Sequence, residues 1–122
     1  MSYLGSQSLQ CDFTSAFVAN QNMEGVLSFN SLMSNFTFAG VATAINHVTG
    51  IRLTNTGSTF AGTSPQVDIA YNDMSAAAIA LLFGDLPTLS GKTIRITGCT
   101  GAADTSHDSV ATGKGWTINR TT

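Results

Sequence analysis

Three consecutive residues, Ser106, His107 and Asp108, carry the residue types of a serine hydrolase. They cannot work as one, because nucleophile, base and orienting carboxylate must converge from separated chain segments, with the imidazole between the other two. A solvated helix start accounts for them. His47 and His107, with Asp104 and Asp108, have metal-ligand chemistry, yet neither histidine stands in a His-x3-His or His-Glu-x-x-His pattern, and exposed helix ends explain both. Gly98-Cys99-Thr100-Gly101 lacks the Gly-Lys-Ser/Thr ending and the long glycine spacing of a phosphate-binding loop, and reads as a tight turn. Asp68, Asp73 and Asp85 fall on a strand, a turn and a helix end, so nothing pairs two of them for acid/base work. Cys11 and Cys99 lie far apart and match no Cys-x-x-Cys pattern, which leaves two reduced, mostly buried thiols. The chain is therefore expected to be non-enzymatic, without a metal or cofactor.

The elements that position these residues are marked by a repeated apolar-x-apolar triplet: Ile51-Arg52-Leu53, Val67-Asp68-Ile69, Ile94-Arg95-Ile96 and Trp116-Thr117-Ile118. Such triplets read as short strands with one buried face. The steps between them, 16, 27 and 22 residues, bring the last two into the roughly 20–29 residue range of leucine-rich repeats. Val67-x-Ile69-x-x-Asn72-x-Met74 fits that repeat's consensus with Val, Ile and Met in place of Leu, and Ile94-x-Ile96-x-x-Cys99 fits it through the cysteine. At the Asn/Cys position a small semi-polar group must turn inward where the strand ends and bond backbone groups of the adjacent coil. Asn72 and Cys99 are read as structural.

Between the strands, Ser75 to Phe83 is rich in helix formers, with Ser75 or Asp73 as N-cap and Pro87 as stop. Ile79, Leu82, Phe83 and Leu86 make one apolar stripe for packing onto the strands. A second turn-helix is expected over Asp104–Gly113, and a short helix over Gly40–Val48, closed by Gly50. The first forty residues suggest strands near Leu9 to Phe13, Val26 to Phe29 and Phe36 to Phe38, without a readable register.

If the strand triplets are adjacent and in register, Arg52, Asp68 and Arg95 project from one exposed face about 4.8 Å apart, as a plus-minus-plus ladder. Such a ladder fixes register, each exposed pair adding at most about 1 kcal/mol, or it offers a polar stripe to a partner. Phe83 and Trp116 suit the core. Phe13, Phe17, Phe29, Phe36, Phe38 and Phe60 exceed what one small sheet needs, so some are expected at a subunit interface.

From Val67 onward several segments stand in order: Asn72-Asp73-Met74-Ser75-Ala76-Ala77-Ala78-Ile79, Asp85-Leu86-Pro87, Ile94-Arg95-Ile96-Thr97-Gly98-Cys99, Asp104-Thr105-Ser106, and Ala111-Thr112-Gly113-Lys114-Gly115-Trp116-Thr117-Ile118. This part, just under half of the chain, resembles the leucine-rich-repeat-like terminal module of bacteriophage virion and tail-fibre-type proteins. It departs from them in carrying Cys99 where such modules usually have Asn, and the first half of the whole chain holds no clean consensus repeat. The resemblance implies a virion component, decorating a capsid or contributing to a tail appendage, and it implies no catalytic residues. Alternatives are a tail-fibre or receptor-binding part and a free protein- or glycan-binding repeat module.

Composition sets the frame. At 122 residues a single domain is expected, residues 1–40 serving as an N-terminal cap or partner-contacting segment and 41–122 as the repeat-like region. The expected fold is α/β: a short leucine-rich-repeat-like solenoid with one small, mainly parallel sheet covered by short helices, its N-terminal part β-rich. Only 10% of residues are charged, against roughly a quarter in typical soluble domains, so Ser, Thr, Asn, Gly and Ala must cover a surface that tolerates burial against another chain. Self-association or docking into a larger assembly is expected from this, and the resemblance further implies homo-oligomers such as trimers at local three-folds of a shell, with a major capsid protein or other virion proteins as partners. Lys92, Lys114, Arg52, Arg95 and Arg120 are too sparse to neutralise a phosphate backbone, so nucleic acid is not an expected partner. No apolar stretch has signal-peptide or membrane-span length, so synthesis in the host cytoplasm as a soluble chain is expected, and the resemblance implies residence in the virion.

Overall fold

The parallel strand pairing expected from the triplets is present, but it is divided between two sheets. The computed structural model describes residues 8–12 and 24 as backbone, and 25–55 and 57–122 with side chains. The chain runs β1 (Ser8–Asp12), β2 (Glu24–Phe29), β3 (Leu32–Thr37), β4 (His47–Leu53), β5 (Val67–Asp68), α1 (Ala76–Asp85), β6 (Lys92–Arg95), α2 (Asp108–Thr112) and β7 (Trp116–Asn119). Strands β1, β3, β5, β6 and β7 form one sheet in that order, and β2 pairs with β4 in a second. Every strand pairing is parallel. Among the described elements, β1, β3, β5 and β6 are followed by elements of the opposite layer: β2, then β4, then α1, then α2. Helix α1 packs against both β4 and α2, which makes the helices the continuation of the small sheet. The described residues thus form a mixed α/β fold, with small parallel sheets and two short helices.

This arrangement corrects the expectation of a single sheet, and it explains the short first step between triplets. Ile51 and Val67 lie in different layers, so the 16 positions between them are not a repeat. Within the larger sheet Phe36 aligns with Val67, Val67 with Ile94, and Ile94 with Ile118. Trp116 faces Lys92, so the last triplet is shifted by two from the register read in the sequence.

Two bulges set which side chains point inward. The β1/β3 register skips Ser34, and the β2/β4 register skips Thr49. A bulge reverses the strand's alternation. Met33 and then Phe36 are buried on β3, as are Val48 and then Ile51 on β4. The core forms where the layers meet, as one cluster that includes Leu27, Phe29, Ile51, Ile79, Leu82 and Phe83 from one layer and Phe36, Val67, Ile94 and Trp116 from the other. The Phe29 ring lies 5.0 Å from that of Phe36 and 6.3 Å from that of Phe38. Edge-to-face contact at 5.3 Å joins Phe60 to Trp116. Each fully buried large side chain contributes about 1.5–3 kcal/mol.

Helix α1 follows its sequence signals. The Ser75 hydroxyl accepts from Ala78 N–H at 3.2 Å, and the stripe from Ile79 through Leu82 and Phe83 to Leu86 is buried. Helix α2 is shorter than the segment read for it. Asp104 instead closes a turn, its Oδ1 accepting from Ser106 N–H at 2.8 Å.

The expected helix over Gly40–Val48 is a correction. Val41 and Ala44 bond each other reciprocally at 2.9 and 3.4 Å, Asn46 bridges Asn72, and β4 begins at His47. The segment is rich in β-branched residues, and its backbone groups find partners on residues 70–73: Gly40 N–H donates to Ala70 O and Asn46 N–H to Tyr71 O, both at 2.9 Å. Gly50, read as a helix stop, lies inside β4, where a Cβ would come within 2.9 Å of the Val26 side chain.

Candidate functional site

The inward turns after β5 and β6 are built by Asn72 and Cys99. Asn72, fully buried, donates through Nδ2 to Phe38 O and Ile69 O, both at 2.7 Å. Cys99 lies 27 positions on, the same step that separates Val67 from Ile94, and its Sγ donates to Ile69 O at 3.1 Å. Phe38 O and Ile69 O occupy equivalent places in successive strands, so amide and thiol perform the same bond one coil apart. Burial pushes the Cys99 thiol up to about 11, which keeps it protonated and able to donate. Val67, Ile69, Met74, Ile94 and Ile96 are all fully buried around this turn; Trp116 is buried at the sheet's end and Ile118 half-buried. Trp116 Nε1 donates to Pro87 O at 2.8 Å.

The ladder of Arg52, Asp68 and Arg95 does not form as read. Asp68 and Arg95 are register partners, bridged at 3.2 Å. Arg52 belongs to the other layer and holds Asp85 at the end of α1 through two bonds, Nε to Oδ2 at 2.7 Å and Nη2 to Oδ1 at 2.8 Å. The Asp85 hydrogen bond and charge raise the Arg52 pKa. The larger sheet instead presents an outward column of Thr37, Asp68, Arg95 and Asn119. Arg95 also lies 5.6 Å above the Tyr71 ring and donates to Thr122 O at 2.7 Å.

The residues considered for catalysis stay apart. Ser106 Oγ donates to Asp104 Oδ1 at 2.6 Å, Asp108 pairs with Arg120, and His107 caps α2 with no side-chain bond. Hydrogen bonds from the Ser106 hydroxyl and backbone hold the Asp104 carboxyl below the usual carboxylate range. Asp73 accepts from Thr100 Oγ1 at 2.6 Å, and His47 is exposed on β4. Among the described residues no three His, Cys, Asp or Glu side chains are grouped to share a metal ion. The Gly98–Gly101 loop is a turn between β6 and α2. Gly98 takes φ +73°, and a Cβ there would lie 2.2 Å from the Tyr71 ring.

Phe29, Phe36, Phe38 and Phe60 are at most 1% exposed. Their assignment to a subunit interface is corrected, since two facing layers need more aromatic volume than one sheet. Phe13 and Phe17 lie outside the described residues.

Three contributors were not readable from spacing. Lys114 Nζ donates to Gly84 O and Leu86 O, each at 2.8 Å, closing the C-terminus of α1. Gln66 Oε1 accepts from Thr93 N–H at 2.9 Å across the sheet. Asn35 Nδ2 donates to Thr63 O at 2.7 Å. A polar residue at two-residue alternation on a strand was the available signal for Asn35, but the bulge hides it.

An open groove of about 590 Å³ runs along β7, lined by Ser64, Thr93 and residues 117–122. What this side of the molecule offers is hydrogen-bonding groups on a fixed parallel frame. No described helix is long and apolar enough to cross a membrane. No family model, curated protein or solved structure matches the chain.

Proposed function

We propose that the chain is a non-enzymatic bacteriophage virion protein that decorates and stabilises the capsid shell, folded as a short leucine-rich-repeat-like solenoid. The observation that carries this reading is the repeated inter-coil bond, Asn72 to Phe38 O and Cys99 to Ile69 O, on strands stacked in parallel register. One turn unit repeated along a stack is the device of solenoids, whose extended surfaces serve as contact platforms.

The mechanism is mass action. A chain that binds assembled capsid proteins but not dissociated ones shifts assembly toward the shell. The polar column of Thr37, Asp68, Arg95 and Asn119 supplies directional contacts, and a surface with few charges loses little on desolvation. Trimers placed at local three-folds match the repeated sites of a shell. The carboxylates are held in separate structural bonds, which supports a role without catalysis.

The test is the copy number of this chain in purified particles, measured by quantitative mass spectrometry against the major capsid protein. Hundreds of copies support shell decoration. A handful transfers the chain to a tail fibre or receptor-binding part and overturns decoration, and absence from particles overturns the virion reading in favour of a free protein- or glycan-binding module.

A further inference from the structure

Where the Gly40–Ile45 turn rejoins the sheet, two asparagines face each other in a parallel bridge. Asn46 N–H donates to Tyr71 O at 2.9 Å and Asp73 N–H donates to Asn46 O at 3.1 Å, so Asn46 and Asn72 are register partners. Register partners send their side chains to the same side of the strand pair, with Cβ atoms about 5 Å apart. Both residues are buried, Asn46 at 3% exposure and Asn72 at 0%.

The backbone here is satisfied, but the side chains are not. Phe38 O and Ile69 O hold Asn72 Nδ2, which fixes the orientation of the amide and leaves Asn72 Oδ1 without a partner. Asn46 Nδ2 and Oδ1 have none either. Such a buried group is destabilising when left unpaired, and buried polar atoms in native proteins are nearly always matched by protein or ordered water.

The three atoms comprise two acceptors and one donor. A direct bond from Asn46 Nδ2 to Asn72 Oδ1 would satisfy two and strand Asn46 Oδ1. A cation would suit the two oxygens but confront the Asn46 NH2 group. Water fits all three: it donates one hydrogen to each Oδ1 and accepts from Asn46 Nδ2, the roughly three-bond environment typical of internal water.

We infer that the Asn46–Asn72 bridge is a binding site for one internal water molecule, which ties the Gly40–Ile45 turn to the Asn72 turn. This site is independent of what the molecule docks onto.

Two measurements test it. A crystal structure of the unmodified chain that displays ordered solvent is expected to show one solvent peak within about 2.7–3.2 Å of Asn46 Oδ1, Asn46 Nδ2 and Asn72 Oδ1. A direct Asn46–Asn72 amide bond without that peak overturns the site, as does a peak with the coordination of a metal ion. In solution, oxygen-17 relaxation dispersion counts slowly exchanging waters. Folded Asn46→Val is expected to hold one fewer than the unmodified chain, and an unchanged count overturns the proposal.

Discussion

At the scale of single residues, the two inward-turning groups make equivalent bonds with unequal means. Asn72 serves Phe38 O and Ile69 O at 2.7 Å and Ala70 O at 3.4 Å, whereas Cys99 serves one carbonyl. Asn72→Ala removes both donors from a fully buried place and is expected to cost about 2–3 kcal/mol in urea denaturation, more than Cys99→Ala. Cys99 also links folding to alkali. Its thiol ionises near 9.0 when unfolded but is pushed up to about 11 by burial in the fold. The folded state therefore holds its proton more tightly, and this contribution is intact below pH 9 and declines as pH rises toward 11. The difference is worth on the order of 2–3 kcal/mol. Stability profiles from pH 8 to 11 should show a steeper alkaline fall for the unmodified chain than for Cys99→Ala; parallel profiles would count against a buried, proton-holding thiol. The consensus spacing made both turn residues legible. The partner of Arg52 was not, because Asp85 lies 33 positions away in the other layer, and no local pattern reports a contact between layers.

At the scale of elements, the most legible was α1, where cap, apolar stripe and Pro87 agree. What spacing does not reveal is how the helix ends. Lys114, 30 positions beyond Gly84, donates to terminal carbonyls where the helix dipole is negative. Lys114→Met keeps much of the packing stem and loses the donors, so a loss of about 1–2 kcal/mol is expected by denaturation. An unchanged midpoint would mean that solvent serves those carbonyls equally well. The strands were legible as apolar runs but not as registers. One bulge at Ser34 and another at Thr49 change which residues face inward, and strict alternation carries no sign of either. Gly40–Val48 failed for a related reason: its backbone partners, residues 70–73, are close in the fold and distant in the chain.

At the scale of the whole molecule, the apolar interior is one continuous cluster from Leu27 to Trp116. The last coil is structural in three ways: Trp116 packs on Phe60, Lys114 closes α1, and β7 covers β6. Truncation after Gly98 removes all three contributions and Cys99 as well. The shortened chain is expected to lose its cooperative thermal transition and collect in the insoluble fraction. If it instead stays folded by circular dichroism, the coils are independent of one another. The parallel, mixed α/β character was legible from triplets and helix signals. The second sheet was not, since a strand and a helix can occupy the same place in a layer, and the chain changes from one to the other between β4 and α1.

That exchange has a geometric consequence. Neighbouring strands stand about 4.8 Å apart, whereas packed helices need about 8–10 Å. On the N-terminal side strands back strands, and the two layers keep the same spacing. From β5 onward the larger sheet continues at strand spacing while α1 and α2 spread the other layer. The step from α1 to α2 therefore needs roughly 3–5 Å more than the strand step that backs it. Spacing of that kind favours curvature toward the larger sheet, on the side that carries Asp68 and Arg95.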